Sequence, residues 1–293
     1  MEDDVPRGAM FLVGAAFFFS LMSVQVKLAG DELPVEMLVL ARGIVTLVLS
    51  FSILRLRGVS PWGHDRRRLV LRGALGTGGL VCFFTAITLL PLAEVTVIHY
   101  LNPVLTALLA ARLLGERIPT RLWAAIVVSG AGILLVTRPV GLLTASEPLA
   151  TWGIVAALGG ALFSAGAYTT VRRLRLTDRA EVIVFYFPLV AVPALFPFAL
   201  RAWVWPTTRG WLLMLGIGVV TQIAQVLLTR GLALMPAGRG TAIGYVQIAF
   251  ASAWGWGLFD EPMAPATILG ATLIVGATIA LTRRPSSPAA SAR

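Results

Sequence analysis

The stretch Leu89-Leu-Pro-Leu-Ala-Glu-Val-Thr-Val-Ile-His-Tyr100 returns 145 residues later as Leu234-Met-Pro-Ala-Gly-Arg-Gly-Thr-Ala-Ile-Gly-Tyr245. The register continues without a gap, placing Leu113 on Leu258, Glu116 on Glu261, and Thr137-Arg138 on Thr282-Arg283. Over residues 86–138 nine positions are identical: Leu89, Pro91, Thr96, Ile98, Tyr100, Leu113, Glu116, Thr137 and Arg138. Shared apolar composition supplies some leucine and isoleucine matches, but it does not hold a proline, threonine, tyrosine and glutamate set in one register. A weaker match, Phe19-Ser20 on Phe163-Ser164 at a shift of 144, extends the correspondence toward the start of each half. The chain therefore reads as two copies of one unit, residues 1–140 and 141–293.

The composition says what that unit is made for. The 293 residues are 57% hydrophobic and 13% charged, with a mean hydropathy of +0.85. Soluble chains are about 25% charged and about 45–50% apolar, so lipid is the solvent. Crossing a hydrocarbon core of about 30 Å takes about 20 helical residues, and ten apolar stretches are present. They lie near 8–28, 35–56, 69–90, 93–113, 119–137, 151–172, 180–200, 209–232, 239–258 and 264–282. Helices are expected because an isolated segment in lipid must satisfy its own backbone, whereas barrel strands would alternate over about ten residues. Little chain is left over, which excludes a membrane enzyme with a soluble catalytic head. Five spans per half is an odd number, so the second half enters the membrane from the opposite side. The expected fold is an all-α polytopic membrane protein of ten transmembrane helices, arranged as two inverted five-helix repeats around a central cavity. Secondary transporters use this architecture and bind substrate near the midplane between the repeats.

The net charge of +10 is topological. With ten spans and the N-terminus inside, 19 of the 24 Lys and Arg fall on one face: Arg7, the group from Arg55 to Arg72, and the basic residues around 112–121, 172–179, 230–239 and 283–293. Only Lys27, Arg138, Arg201 and Arg209 fall on the other, which puts both termini in the cytoplasm by the positive-inside rule. Basic residues scattered over short helix-end loops also argue against nucleic acid. Met1-Glu-Asp-Asp lacks the positive start of a signal peptide, so the first span is expected to be retained. The tail Arg284–Arg293 is expected to be disordered. Cys82 lies in an apolar run and reads as an inert thiol.

Ionisable groups at membrane depth are functional candidates by default, and two stand out. Arg42, seven residues into the second span, either counters a substrate carboxylate or clamps onto backbone carbonyls or Glu36. His99 is either a titrating or substrate-binding group or a hydrogen-bonded neutral ring. Uncharged polar and aromatic residues gather by face. His99, Asn102 and Thr106 share one face of the fourth span at i, i+3 and i+7, and the repeat maps them onto Gly244, Gln247 and Ala251, beside the paired Tyr100 and Tyr245. Gln222, Gln225 and Thr229 share a face of the eighth span, Ser164 and Tyr168 one of the sixth, and Ser20 adds to the set. Each reads either as lining of a wide, weakly polar cavity or as interhelical hydrogen bonding, worth about 0.6 kcal/mol on average. Trp254 and Trp256 fit either the cavity or an interfacial belt, and Gly240/Gly244 reads as close helix packing. Pro103, Pro188, Pro193 and Pro197 sit inside spans and should kink them; the first three are candidate hinges.

Three runs carry a family resemblance: Pro91-Leu-Ala-Glu-Val-Thr, then Leu101-Asn-Pro-Val-Leu-Thr-Ala-Leu-Leu-Ala-Ala-Arg-Leu-Leu-Gly-Glu-Arg-Ile-Pro119, then Gly130-Ala-Gly-Ile-Leu-Leu-Val. Together they resemble the EamA domain of the drug/metabolite transporter superfamily. Asp260-Glu261-Pro262 and Leu269-Gly-Ala-Thr-Leu-Ile-Val-Gly276 form a more diverged second copy, so the likeness covers nearly the whole chain. Its overall pattern is most similar to the YddG-type amino-acid exporters. The resemblance implies a ten-helix basket whose cavity is lined by helices 1–4 and 6–9, with helices 5 and 10 peripheral. It also implies export, and the YddG-like pattern implies amino acids, including aromatic ones.

The expected function is thus a secondary exporter of small organic metabolites in the inner membrane, working by alternating access. Scarce fixed charge suits a neutral zwitterion. Alternatives are a multidrug or nucleotide-sugar carrier, or a non-transporting membrane protein such as a lipid-modifying enzyme. With only His64 and His99 there is no His-rich metal site and no His-Glu-x-x-His. Leu162-Phe-Ser-Ala-Gly166 lacks the leading glycine of a nucleophile elbow, and no Gly-rich Lys-Ser/Thr phosphate loop occurs. No catalytic residue, metal or cofactor is expected; the partners are a small-molecule substrate and membrane lipid, and a monomer suffices for function.

Overall fold

The computed structural model describes residues 5–114, 120–137, 150–174, 177–233, 243–261 and 263–282. Several sequence features lie outside them: the tail 284–293, Gly240, most of the second repeat motif (234–242), and the loop arginines 117, 138, 175, 239, 283, 284 and 293. The elements within them are helices: α1 (Val5–Gly30), α2 (Val35–Leu56), α3 (Arg66–Leu89), α4 (Leu92–His99), α5 (Asn102–Leu114), α6 (Thr120–Thr137), α7 (Thr151–Leu174), α8 (Ala180–Arg201), α9 (Thr208–Ala233), α10 (Val246–Phe259) and α11 (Pro265–Thr282). Helices α1, α2, α3, α7, α8 and α9 each carry a stretch long and apolar enough to cross a membrane, whereas α6 and α11 hold shorter apolar stretches, Ile126–Val136 and Pro265–Ala277. The chain is an all-helical membrane protein.

Local chemistry sets the helix ends. Asp65 caps α3 by accepting from the Arg68 backbone N–H at 3.1 Å, satisfying one of the donors a helix start leaves open. At the end of α10, Asp260 takes a left-handed conformation (φ 52), and the Glu261 N–H returns to Gly255 O at 2.9 Å. This Schellman-type closure turns the chain out of the helix and aims Glu261 back at its neighbours.

The expected fourth span is two helices. Residues Tyr100 and Leu101 form a turn between α4 and α5, so His99, Asn102 and Thr106 do not share one continuous helical face. The cause is Pro103: it has no N–H to return to the His99 carbonyl, and its fixed φ suits the first turn of a new helix. The expectation of a kink inside a single helix is corrected to a break just ahead of the proline. Pro188, Pro193 and Pro197, by contrast, lie inside one continuous α8.

In lipid, helices associate by close packing and not by a hydrophobic drive, which favours small residues at crossings. The most extensive pairings are α3 with α7, α1 with α9, α6 with α11 and α2 with α8. At the α6–α11 crossing the backbones nearly touch, since a Cβ on Gly270 would stand 2.5 Å from Gly132 O. Phe84, Met37, Leu38, Ile87 and Ile98 are buried at the centre, while Val48, Leu56, Val127, Trp152 and Trp205 are exposed, as a lipid-facing perimeter requires.

Candidate functional site

Helices α2, α3, α8 and α9 surround a narrow cavity of about 30 Å³, lined by Arg42, Thr46, Ser50, Arg72, Val184, Phe187, Pro188, Thr221, Gln222 and Gln225. Arg42 is 7% exposed, and it neither clamps a carbonyl nor reaches Glu36: no described residue accepts a hydrogen bond from its guanidinium, and its Nε is shielded without an acceptor. The positive-inside count placed Arg72 in the basic loop group. The structure turns it inward instead, with Nε and Nη1 shielded and without acceptors. The guanidinium carbons of Arg42 and Arg72 lie 5.7 and 4.9 Å from the centre of the Phe187 ring, and Arg42 also sits 5.7 Å from the Phe84 ring. Cation–π contact steadies both groups but satisfies none of their N–H donors.

These two distances cap the separation of the charges. They lie no farther apart than roughly 11 Å, which at an effective dielectric of about 20 is a repulsion of at least about 1.5 kcal/mol. Each arginine at depth adds about 2.5–3.5 kcal/mol of insertion cost. The ion pairs found among the described residues lie elsewhere: Lys27 with Glu261, Arg57 with Glu181, and Arg68 with Asp65. Ser50 Oγ and Thr221 Oγ1 are also shielded without partners, so neutral hydrogen-bonding groups face the same space. Thr46 bonds back to the carbonyls of Arg42 and Gly43 at 2.8 and 3.2 Å.

A second polar group sits at the helix break. The Tyr100 and Tyr245 rings meet at 4.8 Å between centroids, and the Tyr100 hydroxyl donates to Gly244 O and lies 3.2 Å from Gln247 Oε1. His99 packs on Phe83 with centroids 4.7 Å apart, and its shielded Nδ1 has no partner. Tyr168, 51% exposed, lies within electrostatic reach of Arg42, Arg72 and Tyr100, so it joins the two groups.

Other candidates make helix contacts. Trp254 Nε1 donates to Ser20 Oγ at 3.0 Å, and Ser20 donates to Phe17 O at 2.7 Å, fastening α10 to α1. Asn102 accepts from Thr106 at 2.9 Å within α5. Ser164 packs where α7 meets Gly79 of α3. Trp256 is exposed, fitting the belt reading. Among the sequence candidates, then, the cavity brings together Arg42, Gln222, Gln225 and Pro188, and the break brings together His99, Tyr100, Tyr245 and Gln247; Pro193 lines neither.

Reading only Arg42 and His99 as ionisable groups at depth missed three more side chains besides Arg72. Glu94 is buried and accepts from Thr267 at 3.0 Å. Lys27, expected in an outer loop, is held against Glu261 and donates to Leu90 O at 2.9 Å. The second Glu261 oxygen accepts from the Leu92 backbone N–H at 3.1 Å, which ties the end of α1 to the end of α10 and the start of α4.

The model of the EamA-like transporter family matches residues 6–138 and again 151–283. The chain belongs to this family. Its members are transporters and not enzymes, and the chain is a multi-pass integral membrane transporter. It is 35% identical over 284 residues to the pseudopaline exporter CntI of Pseudomonas aeruginosa, covering 96% of this chain and 98% of that one. It is 26% identical over 313 residues to the probable transport protein YPL264C of Saccharomyces cerevisiae, covering 93% and 87%. A crystal structure of another protein superposes with a TM-score of 0.64 at 20% identity over 94% of this chain and 96% of its own, which speaks to the fold alone. The match to a pseudopaline exporter corrects the likeness to YddG-type aromatic amino-acid exporters.

Proposed function

We propose that this EamA-family chain is a secondary exporter of the inner membrane that moves an amino-acid-based metabolite through the α2–α3–α8–α9 cavity by alternating access between two inverted five-helix repeats. The observation that carries the reading is the cavity itself: polar, walled by two helices from each half of the chain, and holding an arginine with unused donors. The relationship to a pseudopaline exporter makes pseudopaline the first compound to try, and it favours a modified amino acid over a plain aromatic one.

The inverted repeat is supported by how the helices pair. Exchanging the two halves turns α1–α9 into α7–α3, α2–α9 into α8–α3, and α1–α10 into α7–α5, while α2–α8 and α6–α11 map onto themselves; every one of these pairs is in contact. Tyr100 and Tyr245, equivalent in the repeat, both stand at a turn between helical segments, and broken helices at a repeat interface are where such carriers bind substrate. Pro188 and Pro193 leave the Val184 and Leu189 carbonyls without their helical N–H, so α8 is the bending element. The arginine distribution supports cytoplasmic termini, and with that orientation the Lys27–Glu261 tie closes the outer side.

The test is transport by the purified chain in proteoliposomes, with labelled pseudopaline and labelled amino acids, with and without a proton gradient. Accumulation that requires the protein and falls at least tenfold in Arg42→Gln supports the reading. No flux of any of these compounds refutes it, and Pro188→Ala and Pro193→Ala at wild-type rates would refute the hinge.

A further inference from the structure

We propose that the cavity is specific for substrates carrying two anionic groups, one taken by Arg42 and the other by Arg72. This deepens the transport reading and rests on it, because the cavity is taken as the substrate's path. A lone arginine would suit the single carboxylate of any amino acid. Here there are two, both permanently charged, both in contact with Phe187, and neither bonded to any described residue. A monocarboxylate would neutralise one and leave the other uncompensated in a low-dielectric space, where an unpaired charge is most costly. A dianion neutralises both and removes their mutual repulsion.

The donors left open fit that task. Arg42 Nε, Arg72 Nε and Arg72 Nη1 are shielded and unused, and a guanidinium edge pairs with a carboxylate in a two-bond fork. Consecutive spans run in opposite directions, so Arg42 on α2 and Arg72 on α3 approach Phe187 from opposite membrane faces. Once the cavity opens, two anionic groups on a short backbone would bridge them, with the ring as the apolar floor. Ser50 Oγ and Thr221 Oγ1, also unpartnered, and Gln222 on the lining are left for an amine or hydroxyl. The cavity is narrow, about 30 Å³ against the roughly 300–1,000 Å³ usual for small-molecule sites, so the substrate is taken up in a more open state of the carrier.

Gly76 gives the arrangement independent support. A Cβ at residue 76 would stand 2.7 Å from Phe187 Cδ2 and 3.0 Å from Arg72 Nη1. The ring and the guanidinium therefore occupy the space that the missing side chain leaves on α3.

The experiment is binding to the purified full chain in nanodiscs, by calorimetry, with L-2-aminoadipate and its neutral side-chain amide L-homoglutamine, and with glutarate and citrate as further dianion and polyanion probes. The expected result is at least tenfold tighter binding of aminoadipate than of the amide. Arg72→Gln should bring that ratio to about one without weakening the amide, and Arg72→Lys should keep part of it. Unliganded melting temperatures and gel-filtration profiles show whether each variant is folded. Equal binding of aminoadipate and amide, a ratio unmoved in folded Arg72→Gln, or no binding of any of the anions overturns the proposal. Labelled aminoadipate flux in proteoliposomes separates the two readings. Charge-selective binding without flux removes the transport reading and keeps this one, whereas flux of neutral amino acids with no preference for dianions does the reverse.

Discussion

Replacing Glu261 by glutamine removes one charge from the junction of α1, α4 and α10 and leaves most of its geometry intact. Lys27 keeps Leu90 O at 2.9 Å and the Phe259 ring at 5.3 Å, and the glutamine carbonyl can still accept from Leu92 N–H. What disappears is the Coulombic attraction of a pair in which each side chain is 17% exposed. Such a pair falls between an exposed one, worth less than about 1 kcal/mol, and a buried one whose breaking costs about 3–5 kcal/mol. A loss of about 2 kcal/mol is expected by that interpolation. The tie exists only while the ends of α1 and α10 are together, so the loss falls on the closed state and shifts closed against open by roughly 30-fold. Hydrogen–deuterium exchange in nanodiscs reads this directly: amides of Leu28–Gly30 and Leu92–Glu94 should exchange roughly 30-fold faster, with the α6–α11 crossing unchanged. A cycle through Lys27→Gln, Glu261→Gln and the double variant, followed by unfolding, should give a coupling of about 2 kcal/mol. Exchange unchanged within about threefold together with a coupling below about 0.5 kcal/mol, the limit of ordinary additivity, would refute the claim that this pair is shielded enough to hold the helix ends closed.

Gly76→Ala should displace Phe187 and Arg72 together, lowering anion affinity at least tenfold while the melting temperature changes little; an affinity within twofold of wild type would show that the ring and guanidinium can yield. Gly270→Ala places a methyl 2.5 Å from Gly132 O, and because a backbone oxygen in a helix cannot step aside it should cost about 1–3 kcal/mol, seen as a lowered unfolding midpoint. Tyr100→Phe removes the donor to Gly244 O and should cost about 1–2 kcal/mol with a loss of flux. Asp178 lies outside the membrane: burial alone would raise its pKa, but bonds from the Thr177 hydroxyl and the His64 and Asp65 backbone N–H groups, with the His64 charge, hold it below the ordinary value. A depressed carboxylate stabilises fully above the unfolded value of about 3.9 and loses that contribution as pH falls through its lower folded value. Below about pH 4 the wild type should therefore lose stability that Asp178→Asn does not, measured as melting temperature against pH.

The all-helical membrane class is legible because it rests on a signal that every residue contributes to. Apolar runs of about 20 residues mark spans in any context. The break at Tyr100 was legible in part. Pro103 marks the place, but choosing between a kinked helix and two helices depends on whether the turn can be covered, and Tyr245 and Gly244 supply that cover from elsewhere in the chain. Ser20 and Trp254 show the opposite limit: the sequence leaves Ser20 between cavity and helix contact and Trp254 between cavity and belt, yet 234 residues apart they bond to each other, and no local pattern announces such a pair.

Arg72 shows why a count of charges misassigns a site. It follows Arg66, Arg67 and Arg68, and a tally by loop puts it with them. Helical geometry separates it: Arg72 lies a turn beyond Arg68, far enough into α3 that its side chain either snorkels back to the interface or reaches inward. The choice is made by α8, which brings Phe187 against it, and by Gly76, which leaves room for the contact. Scarce charge within the membrane points to a neutral zwitterion as long as one arginine offers one partner. A second arginine on the same ring reverses that inference. Two like charges held within roughly 11 Å at membrane depth are costly in the empty carrier, and that cost favours whichever ligand removes it. Selectivity for dianions then follows from the instability of the empty site, with no further contact needed to reject a singly charged amino acid.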